Sequence, residues 1–173
     1  MARDRSSVVE VADLRRRLGE RRAIDLVVGH EPFAVGTSHV DADDPVAVSL
    51  SLESISAGIS ATGRVEVRWH GSCRRCLDDI EGQLVAEVSE IFADVPVEGE
   101  TYPIGHDQID VAELVRDAVL MALPTAPLCR EDCSGPIPDR FPVTVAEDDT
   151  GDSDRPIDPR WAALDVLREP PES

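Results

Sequence analysis

Alternation of apolar and polar residues recurs through the middle of the chain and commits that stretch to extended structure. In VAVSLSL (46–52), Val46, Val48 and Leu50 fall on one side and Ser49 and Ser51 on the other, the pattern of a half-buried antiparallel strand. Ile55, Ala57, Ile59 and Ala61 continue it with the phase moved by one residue, which predicts a bulge or bend near Glu53–Ser54. Thr62–Gly63 reads as a turn into RVEVRW (64–69), and LVAEVSEIF (84–92) as a further strand. AIDLVV (23–28) is a strand candidate upstream, followed by the loop Gly29–Glu31 and the acidic turn HVDADDP (39–45).

Helical periodicity is confined to shorter stretches. Val8, Val11, Leu14 and Leu18 predict a short N-terminal amphipathic helix stopped by Gly19. After a Pro-, Gly- and acid-rich loop (94–107), Leu114, Val115, Ala118, Val119 and Ala122 give one face of a main helix near 110–123. Asp110 and Glu113 suit its capping box, and Pro124 ends it. Trp161, Leu164 and Leu167 predict a short C-terminal helix that docks on the core. The expectation is an α+β fold, an antiparallel sheet open to barrel-like closure with these three helices. Residues 1–145 form its single domain, and 146–173 an acidic flexible segment ending in the docking helix.

Charge bears on partners. The chain has 35 acids against 17 basic residues, all of them Arg, for a net charge of −18. Seven Arg and four acids lie within residues 1–22, so the rest is more acidic still. Such a body repels phosphate at long range, attracts basic proteins, and also serves solubility alone. No apolar run is long enough to span a membrane, and the N-terminus lacks the apolar stretch of a secretory signal. The expected location is the cytoplasm.

Cys73 and Cys76 form a Cys-x-x-Cys pair after a strand; Cys129 and Cys133 form a second pair in a Pro-flanked loop after the main helix. Four sulfurs are the tetrahedral complement of a structural zinc, and such a closed site leaves no position for a reacting water. The wide separation of the pairs leaves open reduced structural thiols, or a redox switch or disulfide. His70 is a substitute ligand or a plain surface histidine. Arg64, Arg68, Arg74 and Arg75 surround the first pair and form a nucleic-acid or partner contact patch, unless they pair with Glu66, Asp78 and Asp79. The chain has no Lys for a phosphate-cradling loop, no zinc-protease helix motif and no nucleophile elbow, so no enzyme and no small-molecule substrate is expected.

The order of motifs carries a resemblance. Cys-Arg-Arg-Cys-Leu (73–77), Glu-Ile-Phe (90–92), Ile-Asp…Glu-Leu-Val-Arg-Asp-Ala (109–118) and Leu-Pro-Thr-Ala-Pro-Leu-Cys…Cys-Ser-Gly (123–135) together resemble the YceD family of large ribosomal RNA accumulation proteins. Leu18-Gly19 and Asp-Pro-Arg-Trp-Ala-Ala-Leu (158–164) are similar to its actinobacterial branch. The resemblance implies a non-enzymatic role in accumulation or stability of large-subunit (23S) ribosomal RNA. It also implies metal binding by the family's cysteines. Family sequences often continue with a further Cys-x-x-Cys, where this chain has Pro136-Ile137-Pro138-Asp139-Arg140; a metal site built on those later cysteines is lost here, whereas one that pairs Cys73 and Cys76 with Cys129 and Cys133 survives. The partner classes that follow are large-subunit ribosomal RNA or, with the protein as an acidic adaptor or chaperone, a basic ribosomal protein or a ribonuclease.

Overall fold

The computed structural model describes residues 7–137, 139 and 140. Three long strands dominate: β5 (Val46–Ile55), β6 (Gly58–Ser72) and β7 (Asp79–Ala93). Before them come β1 (Val8–Glu10), the single-turn helix α1 (Ala12–Arg15), β2 (Arg21–Val28), β3 (Phe33–Val35) and β4 (Ser38–Val40). After them come β8 (Tyr102–Gly105), β9 (Gln108–Asp110) and the helix α2 (Ala112–Ala122).

β2, β5, β6 and β7 form an antiparallel meander in which β6 is central, with β7 along one edge and β5, then β4, along the other. β3 pairs with β4, and β8, β9 and β1 extend the sheet beyond the C-terminal end of β7, where β8 joins in parallel through Phe92↔Tyr102. The sheet curls into a half-barrel.

The alternation places the core. Val48, Leu50 and Leu52 of β5 lie opposite Val65, Gly63 and Ala61 of β6; Val65, Val67 and Ile59 lie opposite Ala86, Leu84 and Phe92 of β7. All are buried apart from Gly63, which is half-buried. Leu114, Val115 and Val119 of α2 close the concave side against this surface. Each fully buried Val, Leu, Ile or Phe contributes about 1.5–3 kcal/mol, so the inward row outweighs every polar interaction on the outer face.

Several expectations are corrected. The fold is mostly β rather than α+β: the described residues hold nine strands and two helices, one a single turn. Of the expected N-terminal helix only Ala12–Arg15 is helical, because Val8–Glu10 pairs with β9 in the register Val9↔Ile109. Sheet pairing there overrides a four-residue apolar spacing too short to stabilise a helix by itself. The expected C-terminal helix at 161–167 lies outside the described residues.

The phase change after Leu52 comes from a two-residue hairpin turn at Ser56–Ala57, not a bulge at Glu53–Ser54. Thr62–Gly63 is strand interior. Gly63 pairs with Leu50 and Val88 at φ 155°, and a Cβ there would sit 2.1 Å from the Ser49 carbonyl oxygen. Glycine serves close strand approach here rather than reversal. The loop 94–107 contains β8, and α2 has no capping box: Asp110 Oδ1 accepts the Ala112 amide at 3.0 Å, while Val111 occupies the cap position.

Candidate metal centre

The β6–β7 hairpin ends in a knuckle. The Cys73 amide donates to the Asp78 carbonyl at 2.9 Å and the Leu77 amide to the Cys73 carbonyl at 2.9 Å. Between them the chain turns tightly enough to aim both sulfurs the same way. Leu77 takes φ 65°, a left-handed conformation unusual for a bulky side chain, and it is exposed.

The second pair is brought to this knuckle by the chain leaving α2. Leu123 turns extended and is buried, and Ser38 Oγ donates to the Pro124 carbonyl at 2.6 Å. The Arg74 amide then donates to the Pro127 carbonyl at 2.9 Å. Arg75 fastens the far side of the loop, its guanidinium donating to the carbonyls of Glu131 (3.2 Å) and Cys133 (2.9 Å).

All four sulfurs lie within 4.8 Å of one another. Cys73 and Cys133 are 3.8 Å apart, and Cys76 and Cys129 3.7 Å apart. A zinc–sulfur bond of about 2.3 Å makes the edge of a tetrahedron about 3.8 Å. The four donors therefore fit zinc in number, type and spacing. Cys73 and Cys133 are buried, Cys76 half-buried and Cys129 exposed.

The local amides favour thiolate at one position. Backbone N–H groups of Cys76 and Cys129, and then Arg75, pull the Cys73 thiol down to about 6 against the opposing effect of burial. For Cys76 the Asp78 amide acts the same way, but burial and hydrogen bonding with Cys73, Asp78 and Cys133 outweigh it and push the thiol up. Cys129 is pushed up chiefly by its hydrogen bond with Cys133, then by burial. One thiolate, at Cys73, is thus favoured beside the raised thiols of Cys76 and Cys129, since several negative sulfurs this close repel. A divalent cation removes that repulsion.

The remaining residues singled out in the sequence are dispersed. His70 faces away from the sulfurs, with Nε2 3.1 Å from Asp44 Oδ2 and Nδ1 3.9 Å from Glu81. Arg64 pairs with Glu66 at 2.5 Å, and Arg68 lies 3.9 Å from Glu81. Arg75 is turned onto the cysteine loop. The Arg74 side chain is exposed and makes no ion pair or hydrogen bond among the described residues.

Two features had no signal in the sequence. Asp44 collects His70 Nε2 and the Asp41 amide from separate elements, and its carbonyl meets His30 Nε2. The role of Arg75 as a clamp between the pairs depends on contacts 56 and 58 residues away.

Comparison with known proteins gives a consistent picture. Residues 61–168 match the model of the YceD family, described as "Large ribosomal RNA subunit accumulation protein YceD". Uncharacterized proteins of Mycobacterium tuberculosis and Mycobacterium bovis are each 33% identical over 165 residues, covering 90% of this chain and 78% of the relative. An uncharacterized protein of Mycobacterium leprae is 32% identical over 133 residues, covering 73% and 60%. No solved structure matches significantly.

Proposed function

Because the chain belongs to the YceD family, we propose that it is a non-enzymatic factor needed for accumulation or stability of large-subunit ribosomal RNA, with a structural zinc held by Cys73, Cys76, Cys129 and Cys133. The family match carries the ribosomal part of this reading. The convergence of four sulfurs at tetrahedral spacing supports the zinc. Bound there, zinc would supply a permanent cross-link between the β6–β7 hairpin and the loop after α2, rather than a catalytic centre, because four thiolates fill its coordination.

The knuckle also carries one cationic side chain that is free among the described residues, Arg74. Among the described residues Arg74 makes no ion pair or side-chain hydrogen bond and Arg68 is only loosely paired, so these two are the available phosphate contacts of the four arginines; Arg64 and Arg75 are occupied within the fold. Contacts this short act within a screening length of about 8 Å at physiological salt, so the distant acidic surface does not cancel them.

The test is depletion of the protein in its own host, followed by the ratio of large- to small-subunit ribosomal RNA. The expected result is a fall in large-subunit RNA, restored by the wild-type chain and not by one carrying C129S and C133S. An unchanged ratio on depletion overturns the ribosomal reading; full restoration by the cysteine variant overturns the need for zinc. A tagged pull-down split into nuclease-treated and untreated halves separates RNA contact, lost with nuclease, from a protein partner that persists.

A further inference from the structure

β7 is open along most of one edge. It pairs with β6 over residues 79–92, but on its other side, among the described residues, only Phe92 and Ala93 have a partner, in β8. Among the described residues, no backbone hydrogen bond reaches the outer edge of 79–91. A long bare edge is a template for another strand unless it is blocked by charge, proline or covering structure.

Beside this edge runs a groove of 880 Å³ between β7, α2 and the loop before β8. Its apolar lining includes Val88, Ala118 and Leu120 together with Val85 and Met121, which are 53% and 89% exposed. Its acidic lining is Glu87, Glu90, Glu98, Glu100, Glu113 and Asp117, and no Arg or His among the described residues lines it. Burial, the hydrogen bond from Tyr102 Oη to Asp117 (3.1 Å), and then the charges of Asp117, Glu90 and Glu113 push the Tyr102 phenol well above its ordinary range.

We infer that this groove takes an extended basic segment of a partner protein, which adds a strand to the free edge of β7. Its apolar side chains on the α2 side lie on Val88, Ala118 and Met121, while its Arg or Lys side chains meet the acidic wall. The open edge calls for an extended rather than a helical occupant, because it supplies main-chain donors and acceptors in strand register. The sign of the wall excludes a nucleic acid as occupant. A second copy would bring the same acids to the interface. This inference goes beyond the zinc-bound ribosomal factor and does not depend on it.

The test uses the full chain and a fluorescein-labelled ten-residue peptide alternating Arg with Val or Leu, followed by fluorescence anisotropy in about 150 mM salt, where the screening length is about 8 Å. Neutralising the wall with E87Q, E98Q and E100Q is expected to weaken binding at least tenfold. An equal charge change on remote surface (E31Q, D43N and E131Q) should change it less than threefold. M121D should weaken it similarly to the wall variant. A peptide of the same composition with its Arg and apolar residues in two blocks, or with alternate amides N-methylated, should bind at least tenfold less tightly.

Equal effects of the wall and remote variants show non-specific attraction to an acidic protein and overturn the proposal. So does equal binding of the block or N-methylated peptide. So does displacement of the peptide by single-stranded RNA that is itself sensitive to the wall variant. None of these outcomes touches the ribosomal RNA ratio or the zinc content, so the two readings fail separately.

Discussion

Replacing Cys129 and Cys133 together by Ser leaves the Cys73–Cys76 knuckle but cuts the proposed cross-link. Its thermodynamic weight follows from where the chain is tied. The close sulfur pairs join positions 53 and 60 residues apart. If zinc stays on the unfolded chain, closing a loop of that length removes about 14 cal/mol/K of its entropy, or about 4 kcal/mol at 25 °C. If zinc leaves on unfolding, free zinc at a thousand times its dissociation constant stabilises the native state by about 4.1 kcal/mol. Both routes arrive at the same size, a large share of the 5–15 kcal/mol expected for a domain. At 2–4 °C per kcal/mol for a chain of this length, the variant should melt roughly 8–16 °C below the wild type. Thermal unfolding followed by circular dichroism in matched free zinc reads this, and chelating the wild type should reproduce most of the shift. A wild type that carries one zinc yet melts within about 3 °C of both its chelated form and the variant refutes the reasoning.

Gly63→Ala should cost more than about 3 kcal/mol or prevent folding, because the added Cβ meets the Ser49 carbonyl at 2.1 Å in the middle of the sheet; Gly19→Ala, also left-handed but with nothing within 4 Å of the added atom, should cost only about 1–2 kcal/mol in urea unfolding. Tyr102 is the sole tyrosine, so phenolate absorbance against pH reads it directly, and it should not ionise at pH 10 while the fold persists. The folded value is raised, so the stabilisation is complete below pH 10 and declines as pH rises above it; a normal midpoint near 10 in the folded protein counts against the acidic surroundings. Arg75→Met should weaken zinc about tenfold in a competition titration by freeing the Cys133 loop, while Arg74→Met should leave zinc affinity unchanged.

The sheet was legible where the alternation is strict, because a period of two admits one buried face: Val46 through Leu52 and Leu84 through Val88 point as that pattern requires. The turns were less legible. Thr62–Gly63 and Ser56–Ala57 look alike as small polar and flexible residues, and only the partner strand distinguishes a reversal from a close approach. β1 and β8 were missed because their apolar residues acquire meaning only through β9 and β7, which lie far away in sequence. The cysteine pairs were visible as pairs, since thiols at such spacing have few uses. Their convergence depends on α2 ending at Ala122 and on the Pro124 and Pro127 carbonyls being caught by Ser38 and Arg74. Of the acidic groove only the acid-rich loop 94–107 was visible locally, because its wall is assembled from three separate segments.

The central claim is one zinc bound by four thiolates from two distant pairs. X-ray absorption at the zinc edge on the purified full chain, with the metal content of the same sample, tests it most directly. One zinc per chain with four sulfur neighbours at about 2.3 Å is expected. A content well below one per chain after purification with zinc present, or a shell of two sulfurs with nitrogen or oxygen, would contradict it.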